Sequence, residues 1–172
     1  QDGYTGFRPV GTQAKPFTGS YNGQNFKISG VYSSNKEIDY VGGFSMEGGK
    51  LIGSGERFDN ASIFIAHKGK PFMIVHSNAF YIQDGELSCN PASVILIVNS
   101  DSIYHPGLQM KYRDADRTIR LIRPEEGLAQ SPFFNTYHRL NMNSNAMTWQ
   151  MDSETITFET IRGVDRTSIV EF

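Results

Sequence analysis

The amino-acid sequence predicts an all-β fold of stacked antiparallel hairpins, arranged either as a β-sandwich or as an elongated sheet of the β-solenoid kind. About a dozen strand candidates recur along the 172 residues at the roughly 8–12-residue spacing that such folds show. One hairpin pattern occurs twice, and no segment longer than about two turns has the helical period. These observations exclude a mostly helical protein.

The repeated hairpin lies in the second half of the chain, where residues 112–121 align with residues 149–158 without a gap. Each copy has an aromatic residue at the end of one strand, a short polar turn with an aspartate, and Thr-Ile at the start of the next strand. A Tyr-His pair precedes each copy, and the two pairs are Tyr104-His105 and Tyr137-His138. The repetition predicts a chain of stacked hairpins.

Length and composition are those of one domain, residues 1–172, or of one segment of a longer β-repeat protein. Residues 1–39 are rich in glycine and predict N-terminal hairpins, whereas residues 40–172 predict the main β-meander. The 16 Lys and Arg residues nearly balance the 18 Asp and Glu residues, so no positive field attracts nucleic acid. No apolar run approaches the ~20 residues of a transmembrane helix, so no transmembrane segment is predicted.

The first clear hairpin is residues 17–30, where Asn22-Gly23 supplies the positive φ angles of a primed turn. Residues 40–46 and 50–55 follow as strand candidates. Glycines inside both segments predict bulges or close approach of another part of the backbone.

Three apolar runs come next, at residues 61–66, 71–76 and 93–98. Their apolar residues are consecutive and not alternate, which predicts strands that are covered on both faces. Residues 93–98 form the most apolar run in the chain and are the candidate for its central strand. Between these strands, Cys89 is expected in a polar turn, where its thiol would be spare.

The repeated hairpin begins with a half-buried strand, in which Leu108, Met110 and Tyr112 alternate with polar residues. The returning strand has a basic side formed by three arginines, which are Arg117, Arg120 and Arg123. An anion-binding patch is one interpretation. A solvated face that resists edge aggregation is favoured over it, because acidic residues lie close by in the sequence.

Residues 124–136 are the one long irregular interval, with a helical turn expected near residues 124–129. A final meander places Met147, Trp149 and Met151 on one face, which predicts that the tryptophan lies in the core. A last strand is expected at residues 167–172.

No catalytic group is predicted. The four histidines lack the spacing of a metal site, and the serines lack the Gly-x-Ser-x-Gly turn of a hydrolase nucleophile. We therefore expect a protein that is not an enzyme, with no cofactor and no metal.

The candidate ligand-binding residues are those of the two Tyr-His pairs, Tyr104, His105, Tyr137 and His138. Aromatic side chains on a flat β-face can form platforms for sugar rings, through apolar faces and polar edges. The alternative is a structural role, with the tyrosine packed and the imidazole bonded to the backbone. The two histidines could also meet if the hairpins stack, and a structural role is favoured over a shared metal.

Several phrases carry a resemblance to a known class of proteins. They are Tyr-Val-Gly-Gly-Phe-Ser-Met at 40–46, Gly-Ser-Gly at 53–55, Asp-Ser-Ile-Tyr-His-Pro at 101–106, Ser-Pro-Phe-Phe-Asn-Thr-Tyr-His at 131–138 and Trp-Gln-Met-Asp at 149–152. Over residues 40–172 the chain resembles a segment of large, β-rich cell-envelope proteins of Bacteroidota. The resemblance implies a periplasmic or extracellular location at the bacterial cell envelope or surface, and it brings no catalytic residues.

Three functions follow as hypotheses. The first is a non-enzymatic structural or binding module of the cell envelope or surface, whose partner is a glycan, a lipid or another envelope protein. The second is a carbohydrate-binding β-sandwich. The third is a segment of a lipid-conducting β-groove, in which one apolar face stays uncovered.

Overall fold

The structure is a computed structural model, and it confirms the all-β prediction. It describes seven stretches of the chain, which are residues 26–29, 37–47, 50–55, 60–83, 85–124, 130–160 and 167–171. Within these stretches, fourteen antiparallel strands belong to one sheet, a 3-10 turn covers Tyr137–Arg139, and there is no α-helix. The stacked hairpins therefore form one continuous sheet.

The fourteen strands have 3 to 13 residues, and the two longest lie in the middle of the chain. Their bounds are β1 Phe26–Ser29, β2 Ile38–Glu47, β3 Lys50–Ser54, β4 Ala61–His67, β5 Lys70–Ser77, β6 Ala79–Gln83, β7 Glu86–Val98, β8 Asp101–Arg113, β9 Thr118–Ile122, β10 Phe133–Asn135, β11 Leu140–Met142, β12 Ala146–Gln150, β13 Thr155–Glu159 and β14 Thr167–Glu171. The predicted central run, residues 93–98, lies in β7, near the middle of the sheet.

The sheet is a meander in which some long strands are interrupted. Strands β3 and β4 lie end to end along one edge of β2, and β5 and β6 lie end to end along one edge of β7. Strands β9 and β10 share an edge of β8 in the same way. Consecutive segments of the chain are therefore neighbours in the sheet almost throughout.

The two central strands change which residues point into the core. In β7 the buried positions have odd numbers up to Cys89 and even numbers from Ala92. In β8 they have odd numbers up to His105 and even numbers from Leu108. The pairing register of β7 and β8 shifts in the same region. Such irregularities let the alternation reverse while the apolar side chains stay inside.

The sheet rolls until its two halves meet at one end. The His67 ring, at the end of β4, donates from Nδ1 to the carbonyl oxygen of Met151, 3.0 Å away, in the turn after β12. Next to it, the Phe72 and Trp149 rings pack with their centroids 4.1 Å apart. These contacts join strands that are not neighbours in the sheet, so the inner face encloses one core.

Ion pairs cross the same end of the roll. The Arg117 guanidinium, in the turn between β8 and β9, pairs with Glu37 before β2 and lies 3.5 Å from Asp152 in the β12–β13 turn. Lys68, in the β4–β5 turn, pairs with Glu154. Arg117 and Arg120 of the predicted basic side are thus both engaged in ion pairs, Arg120 with Glu159. The predicted protection of a sheet edge is wrong for β9, because β9 pairs with β8 on one side and with β12 on the other.

The core confirms the predictions for the repeated hairpin. Trp149 is completely buried, with Met147 and Met151 beside it, as the alternation predicted. The two copies are equivalent hairpins, because Tyr112 pairs with Ile119 across β8 and β9 as Trp149 pairs with Ile156 across β12 and β13. The copies are joined directly, since β9 pairs with β12.

Close approach of a side chain explains the glycines of β2 and β3. The Tyr40 ring lies over both strands, and its hydroxyl donates to the carbonyl oxygens of Gly43 and Ser54. A Cβ at Gly53 would lie 2.8 Å from that ring, and one at Gly42 would lie 2.5 Å from its hydroxyl. The glycines therefore make room for a tyrosine side chain and not, as predicted, for another part of the backbone. Burial raises the pKa of Tyr40 to about 12.

Three local predictions are wrong. The apolar runs are not covered on both faces: burial alternates along β4, and Phe64 is 40% exposed between two buried isoleucines. Cys89 lies inside β7, buried, and not in a polar turn. Residues 124–136 are not irregular throughout, because Phe133–Asn135 forms strand β10, which pairs with β8.

Two predictions fall largely on residues that the structure does not describe. Of the hairpin at residues 17–30, only Phe26–Ser29 is described, as β1 paired with β2. Of the helical turn near residues 124–129, only residue 124 is described. The last strand is confirmed as Thr167–Glu171.

Candidate functional site

A row of apolar side chains crosses the outer face of the sheet. Its members are direct partners on successive strands, and they are Phe64 of β4, Ile74 of β5, Ile95 of β7, Tyr104 of β8 and Phe134 of β10. We call these five side chains the apolar row. Four strand-to-strand steps of about 4.8 Å make it about 19 Å long. The strands that contribute to the row therefore have consecutive apolar residues in the sequence, because alternate side chains point into the core and the side chains between them form the row outside.

The aromatic members of the apolar row are open to solvent. Phe64 is 40% exposed, Tyr104 39% and Phe134 40%, while the isoleucines between them are half-buried. Asp39 pairs with Phe64 at one end of the row, and Asn141 pairs with Phe134 at the other. The row is therefore a strip of apolar surface with a polar residue at each end.

Small polar groups flank the row. On one side the Ser62 hydroxyl lies 2.8 Å from Nδ1 of His76, which pairs with Ser93 on β7. On the other side the Thr136 hydroxyl accepts a hydrogen bond from the backbone N–H of Ser102, over 2.8 Å. A ligand lying on the row would find hydroxyl and imidazole groups on one side and the Thr136 hydroxyl on the other.

A second row on the outer face has the opposite character. Its members, which we call the polar row, are Ser88, Lys111, Arg120, Thr148 and Thr157. Carboxylates neutralise its two cations: Glu86 lies 2.8 Å from Lys111, and Glu159 lies 3.3 Å from Arg120. The outer face therefore divides into one apolar and one ionic region.

One of the four predicted site residues lies in the apolar row. Tyr104 is a member of it, and Tyr137 follows Phe134 by three residues, in the 3-10 turn, with 57% of its surface exposed. The expectation that the tyrosines would be packed is wrong for both. Their exposure agrees with the first interpretation, in which exposed aromatic side chains form a platform for a sugar ring.

His105 has the structural role that the sequence favoured. The backbone N–H of Gly107 donates to its Nδ1, at 3.1 Å, so the ring proton is on Nε2, which donates to the carbonyl oxygen of Ser131 at 2.9 Å. Its ring also packs on Phe133, with centroids 4.8 Å apart. Burial lowers the pKa of the His105 imidazole below its ordinary value. His105 therefore links β8, at the point where its inside–outside alternation reverses, to the segment before β10.

His138 lies in the 3-10 turn, and its side chain is outside what the structure describes. The proposed meeting of His105 and His138 therefore stays a prediction. Since His105 points into the core and Tyr104 points outward, the structure does not bring the four predicted residues together.

The sequence analysis missed Phe64 and Phe134 as site residues. The sequence does carry a signal, because each phenylalanine stands directly next to another apolar residue: Ile63 and Ile65 flank Phe64, and Phe133 precedes Phe134. In the structure those neighbours are buried and the two phenylalanines are exposed. An apolar residue that breaks the expected inside–outside alternation marks an outward apolar position.

Within the described ranges, no three His, Cys, Asp or Glu side chains are grouped as a metal site would need. Burial raises the pKa of the Cys89 thiol to about 12, so the thiol stays protonated at neutral pH and is a poor nucleophile.

No protein-family model, curated protein sequence or solved structure matches the chain. In the part of the chain that the structure describes, no helix is long and apolar enough to span a membrane.

Proposed function

We propose that this protein is a non-enzymatic binding module that holds a neutral, extended glycan against the apolar row. The observation that carries the proposal is the direct register of five outward apolar side chains on five successive strands, from Phe64 to Phe134. The inner face already supplies the core, so folding does not require a second apolar surface. Exposed contiguous apolar surface typically marks a binding site.

The chemistry around the row favours a sugar over other ligands. Aromatic rings offer flat apolar faces, and pyranose rings carry matching faces of C–H groups. The hydroxyls of Ser62 and Ser93 stand beside the row for hydrogen bonds to sugar hydroxyls, whereas the Thr136 hydroxyl already donates to the Asp101 carboxylate at 3.0 Å. Asp39 at one end is the one carboxylate in direct register with the row. The low charge along the row favours a neutral ligand over a charged one.

A location at the bacterial cell envelope is part of the proposal and rests on the sequence resemblance. A structural role in the envelope is compatible with it, because a scaffold can also hold a glycan. The lipid-groove hypothesis needs an uncovered apolar face. Since the inner face is filled by side chains, the apolar row would have to provide that face.

Two tyrosines provide a matched test. Tyr104 belongs to the apolar row, while Tyr81 pairs with Ser88 at the end of the polar row, and each is 39% exposed. Wild type, Tyr104→Ser and Tyr81→Ser are each applied to immobilised neutral polysaccharides, and the retained fraction is measured. We expect wild type to be retained by at least one polysaccharide, Tyr104→Ser to bind about tenfold more weakly, equivalent to about 1.4 kcal/mol, and Tyr81→Ser to bind as wild type.

Retention on no polysaccharide would reject the glycan proposal, as would equal losses in the two variants. Uptake of a fluorescent lipid by wild type, reduced in Tyr104→Ser, would instead support the lipid hypothesis.

A further inference from the structure

A second candidate binding site is the cleft at the end where the sheet meets itself. It has a volume of about 740 Å³ and lies between the β4–β5 turn, the β7–β8 turn and Glu154 of the β12–β13 turn. This volume is within the range of roughly 300–1,000 Å³ that small-molecule sites occupy. The cleft shares no residue with the apolar row.

The floor of the cleft is apolar. Phe72, Ile97 and Val98 line it together with Pro71. Phe72 is held in place from below, because its ring packs on the buried Trp149 ring with centroids 4.1 Å apart. A compact apolar group could therefore lie on a fixed surface at the base of the cleft.

The rim of the cleft is cationic. Lys68 and Lys70 line it beside the His67 ring, and Glu154 is the one carboxylate among the lining residues. Glu154 is already engaged, since it pairs with Lys68 and lies 3.7 Å from Nε2 of His67. Among the residues that the structure describes, no carboxylate pairs with Lys70. The cleft therefore presents a positive charge next to an apolar floor.

Two tight turns fix the shape of the rim. Lys68 and Gly69 have φ angles of 51° and 74°, and Asn99 on the opposite turn has a φ of 56°. These left-handed conformations suit glycine and asparagine and are uncommon for lysine. The Lys68 side chain forms an ion pair with Glu154 of the β12–β13 turn.

We propose that this cleft binds an amphipathic anion, which is a compact apolar body carrying one carboxylate or a comparable group. The apolar body would pack on Phe72, Ile97 and Val98, and the anionic group would pair with the Lys70 ammonium. Apolar pockets with a few placed polar groups are the usual form of small-ligand sites. The proposal is independent of the glycan proposal, because the two surfaces are separate.

Three probes with the same apolar body and different charge test the proposal on the wild-type protein. They are 4-phenylbutyrate, 4-phenylbutan-1-ol and 4-phenylbutylamine, each titrated while amide and indole NMR signals are recorded. We expect saturable shifts at residues 67–72 and 97–99 with phenylbutyrate, and binding at least tenfold weaker with the amine. Equal binding of the three probes, or no saturable shift in the cleft, would overturn the proposal.

Two lysine variants separate the cleft from general surface charge. Lys70→Gln should weaken phenylbutyrate binding about tenfold and leave the alcohol unchanged. Lys50→Gln removes a lysine that lies over the Tyr81 ring, outside the cleft, and should bind phenylbutyrate as wild type does. Equal effects of the two variants would show that phenylbutyrate responds to net charge alone, and would reject the site.

Discussion

The apolar row and the polar row lie on the same outer face, and the two central strands, β7 and β8, contribute to both. In β7 the apolar row takes Ile95 and the polar row takes Ser88. In β8 they take Tyr104 and Lys111. The inner face behind both rows is one core. The same backbone thus supports two surfaces of opposite chemistry.

The difference between the two rows distinguishes outward side chains that are usual for a solvated sheet from those that folding does not require. Outward positions of a half-solvated sheet are ordinarily polar, as in the polar row, where ion pairs satisfy the charges. Phenylalanine and isoleucine at the same kind of position add exposed apolar area, which favours aggregation. The core is already complete without the apolar row, and the proposal that the row contacts a ligand rests on this difference.

The largest expected effect distinguishes the core from the row within one short strand. Phe133 is 1% exposed and Phe134, its neighbour in β10, is 40% exposed. Phe133→Ala should lower the free energy of unfolding by about 3–5 kcal/mol, because it leaves a cavity beside His105 and Phe158. Phe134→Ala should lower it by about 1 kcal/mol or less. Urea denaturation of both variants measures the difference. Similar losses would mean that the apolar row is covered like a core.

A second effect concerns the reversal of alternation that lets β8 contribute outward side chains to both rows. His105→Leu leaves the Ser131 carbonyl and the Gly107 N–H without their partner, at a cost of about 1–3 kcal/mol for each buried group. Chemical denaturation at pH 7 measures the total.

The pH dependence of the same variant is a separate prediction. Burial lowers the pKa of folded His105, so below about pH 6.5 the unfolded chain binds a proton that the folded chain does not. Wild type should therefore lose stability as the pH falls from about 7 towards 5. His105→Leu should show a smaller loss over that interval in denaturation curves. Identical pH slopes would show that His105 titrates alike in both states.

The smallest effect belongs to the polar row. Arg120 is exposed and pairs with Glu159 at 3.3 Å. Arg120→Ala should change the free energy of unfolding by less than about 1 kcal/mol, and by less still in 1 M salt. Denaturation at low and high salt checks this. A loss several times larger would place the arginine in a role beyond a surface ion pair.

The sequence predicted the all-β class, the repeated hairpin and the burial of Trp149, because these depend on local alternation. It did not predict that residues 61–66 and 93–98 have one face outside. A run of apolar residues looks the same whether its outer side is covered by protein or left for a ligand. The contact between His67 and Met151 was also beyond prediction, since it joins residues far apart in the chain.

The candidate site was half predicted. Tyr104 and Tyr137 were identified through the repeated Tyr-His pair, and both are exposed, Tyr104 within the apolar row. His105 belongs to the core, because successive residues of a strand point to opposite faces. Phe64 and Phe134 join the site through cross-strand register, which is fixed by the pairing of the whole sheet.

The most direct measurement of the central claim is methyl NMR of isoleucine-labelled protein. The protein is titrated with an oligosaccharide derived from the polysaccharide that retains it. Ile74 and Ile95 lie within the apolar row, Ile52 pairs with Tyr81 beyond the end of the polar row, and Ile63 is in the core. We expect saturable shifts of the Ile74 and Ile95 methyl signals, with the other two unchanged. Shifts confined to Ile52, or no shift at Ile74 and Ile95, would contradict the claim that the apolar row is the binding surface.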